Sequence, residues 1–357
     1  KNGPADYILF FKGIPLACVE GKKIRIGPQN VLQQAKRYAK GFPESPHSYG
    51  DYHLPFIYST NGKIFWFQDL RDPLNLSREV SAFHTPQALM EMLNRNESAA
   101  KNWLKENEVE NRDLWPFQVE AIKAMEQAIL NRRRTMLIAM ATGTGKTFTI
   151  FNLIYRLMKS GLAKRIVFLV DRRALAAQAV TTAASFEAEP SLKFDQCYEV
   201  YSQRIRREDL DEDMKFDPKI LPTEYLTNPN SRDSFVYIST IQRMRINLFG
   251  SEGLFSATGD LDDDSDAQIL DIPIHAFDVI IADECHRGYT AQEESKWREV
   301  LNHFDGIRVG LTATPAAHTM AFFKNMVFRY DYERAVQEGY LVDYDAIAIQ
   351  SDITPVS

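Results

Sequence analysis

The sequence predicts an α/β protein, with a small mixed sheet near the N-terminus and then a larger, doubly wound parallel sheet. Three observations carry this expectation. Residues 165–170, 235–239, 277–283 and 307–312 are short apolar runs, each followed by a polar or helical segment, as parallel strands buried on both faces would be. Residues 136–139, MLIA, run into the glycine-rich MATGTGKT of residues 140–147, and Phe148, Ile150, Leu153, Ile154 and Leu157 follow at helical spacing. The first 95 residues lack that alternation and carry hairpin signals instead.

Taken in order, residues 7–11 read as an apolar strand, Lys12-Gly13 as a turn and residues 14–19 as the returning strand. Residues 31–39 form a short helix. Residues 56–59 and 64–67 flank Asn61-Gly62, a strong two-residue hairpin signal. Thr85-Pro86 opens a helix that continues over 87–93. Residues 94–112 are polar and charge-rich, a linker or an exposed helix. Residues 118–130 are a helix that leads to the strand before the glycine-rich loop. Residues 186–234 read as a long irregular insertion, and a further unit begins at Asp331. The expected domains are 1–95, a linker over 96–112, 113–330, and a lead-in over 331–357.

Composition bounds the function. A length of 357 residues suits two or three domains, and 45% hydrophobic with 25% charged residues is ordinary for a globular chain. No apolar run approaches the roughly 18 residues that span a bilayer, and the opening KNGPADY does not read as a signal peptide. Cys18, Cys197 and Cys285 lie far apart and suit neither a disulfide framework nor a zinc site, which points to a reducing cytoplasm. The net charge of -6 argues against a wholly basic surface but leaves room for a local basic groove, because acidic segments at 208–217 and 260–271 mask one in the sum.

A strand, a glycine loop and a helix in this order wrap backbone N–H groups around phosphate oxygens and point a positive helix end at the anion. Thr142, Gly143, Thr144 and Gly145 form the loop. Lys146 is the cation for the outer phosphates of a nucleotide, and the Thr147 hydroxyl is a ligand for Mg²⁺. The strict pattern has glycine where this chain has Met140. Asp283 and Glu284 follow the apolar run ending at Ala282, at the edge of the sheet where ligands bind. Asp283 suits Mg²⁺ through its water shell, and Glu284 suits polarisation of the water that attacks a γ-phosphate.

Residues 114–315 resemble the first, RecA-like motor domain of a superfamily 2 helicase or translocase. LWPFQ at 114–118 resembles the adenine-reading motif, with Gln118 at the adenine edge and Phe117 in the aromatic position; Phe117 is alternatively plain core. Trp115 stands where arginine is common. VDRRALAAQ at 170–178 and STIQ at 239–242 resemble the segments that face the nucleic-acid backbone. There Arg172 and Arg173 contact phosphates or are solvated, and Thr240 bonds a phosphate or caps a helix. DECH, ending at His286, resembles the acidic motif, and Thr312 with Thr314 resembles the motif that couples hydrolysis to movement. The family's later motifs do not appear, so the resemblance implies a fragment that binds ATP–Mg²⁺ but turns it over poorly.

Asp6 begins the first strand of the N-terminal hairpin and Glu20-Gly21-Lys22 ends the second. Paired strands can bring the two carboxylates together around a divalent metal, with Lys22 beside them; a solvated hairpin is the alternative. The pattern resembles the PD-(D/E)xK nucleases, and Gln34 with Tyr38, on one helix face, resembles the Gln-x-x-x-Tyr element of one branch. Gly21 stands where alanine is usual. A nuclease of this kind joined to such a motor resembles the R subunit of type I restriction enzymes. That resemblance implies an ATP-dependent site-specific deoxyribonuclease of the cytoplasm, with ATP and Mg²⁺ as cofactors. It implies double-stranded DNA and the methyltransferase (M) and specificity (S) subunits as partners, and no membrane. The alternative is a superfamily 2 DNA helicase or repair translocase whose N-terminal domain is a non-catalytic binding module.

Overall fold

The computed structural model describes residues 5–23, 32–74, 76–203, 219–250, 267–285 and 291–343. Strands β1 (Tyr7–Phe11) and β2 (Ile14–Gly21) form an antiparallel hairpin about Lys12-Gly13. Helix α1 (Leu32–Gly41) leads to β3 (Phe56–Thr60), β4 (Phe65–Asp69) and β5 (Ser77–Val80), giving a sheet in the order β1-β2-β3-β4-β5. Only β2 and β3 pair in parallel, so the sheet is mixed. Asn61 folds the β3–β4 connection, its Oδ1 accepting the N–H groups of Lys63 at 3.1 Å and Ile64 at 2.9 Å. Helix α2 (Pro86–Asn94) starts at Thr85, whose hydroxyl accepts the Ala88 N–H.

The second sheet begins after α3 (Glu97–Glu106) and α4 (Pro116–Leu130). In chain order come β6 (Thr135–Met140), α5 (Lys146–Lys159), β7 (Arg165–Val170) and α6 (Arg173–Ser185). Next are β8 (Glu187–Glu189), β9 (Leu192–Lys193), α7 (Phe194–Cys197), β10 (Glu199–Ser202), β11 (Lys219–Ile220) and α8 (Thr223–Thr227). They are followed by β12 (Phe235–Thr240), α9 (Ile241–Phe249), β13 (Val279–Ala282) and α10 (Ala291–His303). The last are β14 (Ile307–Thr312), α11 (Ala317–Phe323), β15 (Met326–Tyr330) and α12 (Tyr332–Gln337). Eight of these strands form one parallel sheet, in the order β11-β10-β12-β7-β13-β14-β6-β15. Its central strands are mainly apolar because helices cover both faces: Phe151 and Phe168 pack on one side, Phe277 and Phe304 on the other.

Four segments differ from their sequence reading. Within residues 186–234, β10 and β11 extend the parallel sheet at its edge, so the described part of that stretch is largely ordered; residues 204–218 lie outside the described residues. The polar stretch before α4 holds α3, and Ala100 and Leu104 on α3 are buried in the core of the large sheet rather than exposed. Strands β5 and β15 have no counterpart in the sequence reading. The segment 208–217, the first part of 260–271 and the residues after Asp343 lie outside the described residues.

The two sheets share a buried polar seam. Asp305, before β14, accepts from Arg78 of β5 at 2.6 and 2.7 Å and from Arg134, ahead of β6, at 2.8 Å. His84 Nε2 lies 2.7 Å from Asp305 Oδ2, and Tyr58 OH of β3 lies 2.7 Å from His84 Nδ1. An ionised carboxylate can only accept, so Nε2 carries the proton and Nδ1 receives the Tyr58 hydroxyl. Burial works against the charge on Asp305, yet Arg78 and Arg134 hold its carboxyl well below the usual range. Beside it, Arg95 bonds Asp278 at 2.7 Å, and Asp278 accepts the backbone N–H groups of Lys164 and Arg165. Ile274, from the connection before β13, completes the apolar core under Val19, Tyr58 and Phe67. Every contact here from the large sheet lies at the N-terminal ends of β6, β7, β13 and β14.

This seam makes stability depend on pH. Burial, reinforced by the neighbouring His84, pushes the His275 imidazole down from 6.5 to about 3. The folded state keeps it neutral while the unfolded state takes up a proton below pH 6.5, so its contribution is complete above that pH and is lost as pH falls toward 3. At pH 5 the difference for one such histidine is about 2 kcal/mol. The urea midpoint is expected to drop between pH 7.5 and 5, and by less in His275→Gln. An equal drop in both proteins contradicts this assignment.

Candidate functional site

The loop of residues 140–147 leaves the C-terminal end of β6 and enters α5. Gly143 and Gly145 take φ of 85° and 74°, the left-handed conformations that let successive N–H groups turn inward. Gly145 is doubly constrained, because a Cβ there would lie 2.5 Å from Gln118 Nε2. Thr142 is exposed and Thr147 half-buried. Thr144 is fully buried, and its hydroxyl donates to Ala141 O at 2.6 Å, so its side chain shapes the loop and is turned away from any ligand.

Strand order places the acidic pair. β6 and β13 are both neighbours of β14, so their C-terminal ends stand two strand spacings apart, roughly 10 Å. Long side chains close that gap: Lys146 Nζ lies 3.6 Å from Glu284 Oε1, with the two side chains 10% and 15% exposed. Asp283 is buried and its Oδ1 accepts the Glu284 N–H at 2.9 Å, while Glu284 itself sits at a φ of 51°. Thr312 ends β14 between the two and is buried, its hydroxyl accepting the Thr314 N–H at 3.1 Å; Thr314 is exposed.

Gln118 closes one flank of the loop. Its Nε2 donates to Thr144 O at 2.9 Å and its Oε1 accepts the Trp115 N–H at 2.9 Å, and the side chain is buried. Phe117 is a core residue. It is 1% exposed and stacks on Tyr330 at 3.9 Å and 7°, so of the two alternatives the structure takes core packing, and the ring presents no free face to a base.

The residues expected to face nucleic acid divide. Arg172 is the N-cap of α6 with its side chain 71% exposed, 3.6 Å from Asp171, and Arg173 opens the same helix. Thr240 is a helix cap: it is buried, its hydroxyl accepts the Arg243 N–H at 3.2 Å, and the same hydroxyl meets Gln203 Oε1. That geometry removes Thr240 from direct phosphate contact. Gln203 is the residue the sequence reading missed. Its Oε1 accepts from Thr240 N at 2.8 Å and from the Ser239 hydroxyl at 3.1 Å, which ties β10 to the end of β12. A lone glutamine after a short strand carries no sequence signal for that role. His286 lies outside the described residues.

At the other end of the chain, the hairpin pairs Glu20 with Lys22 and sets Asp6 against Gly21, the residue between them. Asp6 Oδ2 accepts the Gly21 N–H at 2.7 Å. Glu20 is 2% exposed, its Oε1 is paired with Lys22 Nζ, and its Oε2 is buried without a hydrogen-bond partner. A buried carboxylate oxygen left without a donor fits a cation beside it. A Cβ at Gly21 would stand 3.4 Å from Asp6 Oδ2, ordinary contact, so alanine would fit here. Gln34 Nε2 donates to Tyr38 OH at 2.9 Å on α1, which packs on the β2–β3 face that carries Cys18 and Ile57. Alternation along β2 puts Glu20 on that same face and turns Val19 toward the seam with the large sheet. Among the described residues, no group of three or more His, Cys, Asp or Glu side chains is placed to hold a metal ion. No helix among them is long and apolar enough to cross a membrane.

Comparison with known proteins supplies a family. Residues 111–317 match the family described as type III restriction enzyme, res subunit, and residues 1–93 match the second domain of the type I restriction enzyme EcoKI endonuclease subunit. The EcoKI endonuclease subunit of Escherichia coli K12 is 31% identical over 97% of this chain and 31% of its own length. The EcoAI endonuclease subunit of Escherichia coli is 26% identical over 98% of this chain and 38% of its own length. The chain thus spans about a third of the length of these relatives. A fragment structure of a putative HsdR subunit of a type I restriction enzyme from Vibrio vulnificus is 22% identical over 91% of this chain and 49% of that one, with a TM-score of 0.39.

Proposed function

We propose a function from one premise: this chain belongs to the endonuclease-subunit family of type I restriction enzymes. It carries the nucleotide-binding half of an ATP-driven motor on double-stranded DNA, and a nuclease site that cuts that DNA. The motor works in the cytoplasm with methyltransferase and specificity subunits. The observation that carries this is the presence in one chain of two separate lysine–carboxylate centres, Lys146 with Glu284 and Lys22 with Glu20.

At the first centre the loop N–H groups and Lys146 bind and orient the outer phosphates of ATP. Glu284 accepts a hydrogen bond from the attacking water and aligns it. Thr147 and Asp283 would hold Mg²⁺, which supplies charge neutralisation on the phosphates. At the second centre Asp6 and the unpartnered Glu20 Oε2 would hold a divalent cation, which supplies Lewis-acid activation at the scissile phosphodiester. Lys22, held by Glu20, faces the charge that develops there. The Gln34–Tyr38 pair orders the helix that covers this face.

Glu20→Ala or Lys22→Ala in the assembled restriction complex is expected to lower DNA cleavage by roughly 10²–10⁴-fold and to leave ATP hydrolysis intact. Retained cutting, measured by the conversion of supercoiled plasmid to linear DNA, overturns the nuclease assignment and favours a motor with a non-catalytic N-terminal module.

A further inference from the structure

The turn between β3 and β4 carries an exposed tip on a rigid base. Gly62, Lys63 and Ile64 are exposed, while Asn61 beneath them is buried. Besides the bonds that Asn61 accepts, the Thr60 hydroxyl accepts the Gly62 N–H at 3.0 Å and donates to Ile64 O at 2.9 Å. Backbone fixed in this way loses little freedom when its side chains meet a ligand. A Cβ at Gly62 would meet nothing within 4 Å, so the space beside the tip is open.

Sheet register sets this tip beside the end of the hairpin that carries Glu20. Glu20 pairs with Ser59 and Gly21 with Thr60, and the Lys22 N–H continues the ladder to Thr60 O at 2.8 Å. Lys22 is therefore level with Asn61, and Lys23 leads out beside the tip, at a strand spacing of roughly 5 Å. Ser59 also pairs with Trp66, so Glu20, Ser59 and Trp66 share one face, and alternation from Trp66 turns Ile64 to that face as well. Ile64 is 37% exposed, an apolar side chain held at the open end of a charged site. Lys22 is taken by Glu20, whereas exposed Lys23 and Lys63 meet no carboxylate among the described residues. Two uncommitted ammonium groups and one apolar side chain in a row match the backbone of a nucleic-acid strand, with its anionic phosphates and the sugar carbons between them.

Resting on the nuclease role proposed above, we propose that Lys23, Lys63 and Ile64 guide the DNA strand that is cut. The two lysines contact backbone phosphates next to the scissile one, and Ile64 packs on the deoxyribose between them. All three are positioning residues; the phosphodiester is broken at the centre of Asp6, Glu20 and Lys22. Contacts to phosphate and sugar carry no base information, so the guide engages DNA of any sequence.

The test is cleavage of supercoiled plasmid by the assembled restriction complex at about 50 and 200 mM salt, with ATP hydrolysis measured in parallel. The proteins compared are wild type, Lys23→Ala, Lys63→Ala, the double variant of these two, Lys63→Arg, Ile64→Glu and Glu20→Ala. Each alanine is expected to slow cutting by roughly 10-fold at the lower salt, the worth of one charge-assisted contact. A lost phosphate contact also flattens the salt response. One contact is worth a factor of roughly 3 between these salts, so the double variant should lose roughly 10-fold less than wild type on going to the higher salt. Lys63→Arg should keep most of the cutting, Ile64→Glu should slow it, and ATP hydrolysis should not change in any of them. Unchanged cutting in the double variant, with none in Glu20→Ala, overturns the guide and leaves the nuclease reading standing. An equal loss at both salts also overturns the guide, since it would mark the lysines as supports of the fold. Full cutting in Glu20→Ala overturns the nuclease reading and the guide with it.

Discussion

Lys146→Ala is expected to lower affinity for ATP–Mg²⁺ by on the order of 100-fold or more. Two losses add. The charge-assisted bonds from the ammonium to the outer phosphates disappear. Glu284, 3.6 Å from that ammonium and only 15% exposed, is left facing the phosphates without the lysine that offsets its charge. Like charges in a half-buried cleft are weakly screened, so the second loss is at least comparable to the first. Lys146→Ala, Glu284→Ala removes the repulsion and should recover part of the affinity, making the two substitutions strongly non-additive. Calorimetric titration checks this: Lys146→Ala binding within twofold of wild type, or strict additivity in the double variant, would show that the pair does not act on one ligand.

Asp305→Ala carries the largest expected effect on stability, about 3–5 kcal/mol. Asp305 is 4% exposed and receives Arg78, Arg134 and His84 together. Alanine leaves the Arg78 guanidinium without its two carboxylate bonds and His84 without the acceptor that fixes its tautomer. Tyr58, which donates to His84, lies in β3 directly beside β2, so the disturbance reaches the strand that carries Glu20. Asp305→Asn keeps an acceptor for Arg78 and should cost less. The urea midpoints of the two variants decide the matter: a loss under 1 kcal/mol for alanine would mean that the small sheet is held by its apolar contacts around Ile274 alone.

Much of the large sheet was legible because its strands are buried on both faces. Residues 165–170 and 307–312 read as strands with the bounds that β7 and β14 have, since each is a short, mainly apolar and β-branched run. Asn61-Gly62 and Lys12-Gly13 marked the two hairpins of the small sheet through turn chemistry alone. The edges were not legible. β5, SREV, buries only Val80, β10 is four residues long and β11 is a two-residue exposed strand, so no periodicity announces them. The seam was not legible either, because Arg78 and Asp305 are 227 residues apart and each is an ordinary surface residue in its own segment. Within the candidate sites, spacing identified which residue types stand at the loop and the hairpin. It could not tell a ligand-facing side chain from a packed or capping one. Phe117 packs under Tyr330, Thr144 bonds its own loop and Thr240 caps α9, in each case because a neighbouring ring or backbone group satisfies the side chain.

The phosphate loop lies at the C-terminal edge of the parallel sheet, while the small sheet is joined to its N-terminal edge, roughly 20 Å away for strands of six residues. Anomalous diffraction from crystals of the chain grown with Mn²⁺ and a non-hydrolysable ATP analogue tests this directly. Two manganese peaks are predicted, one between Asp6 and Glu20 and one beside Thr147 and Asp283 with the triphosphate in the loop of residues 140–147. A single peak, or a nucleotide bound away from that loop, would contradict it.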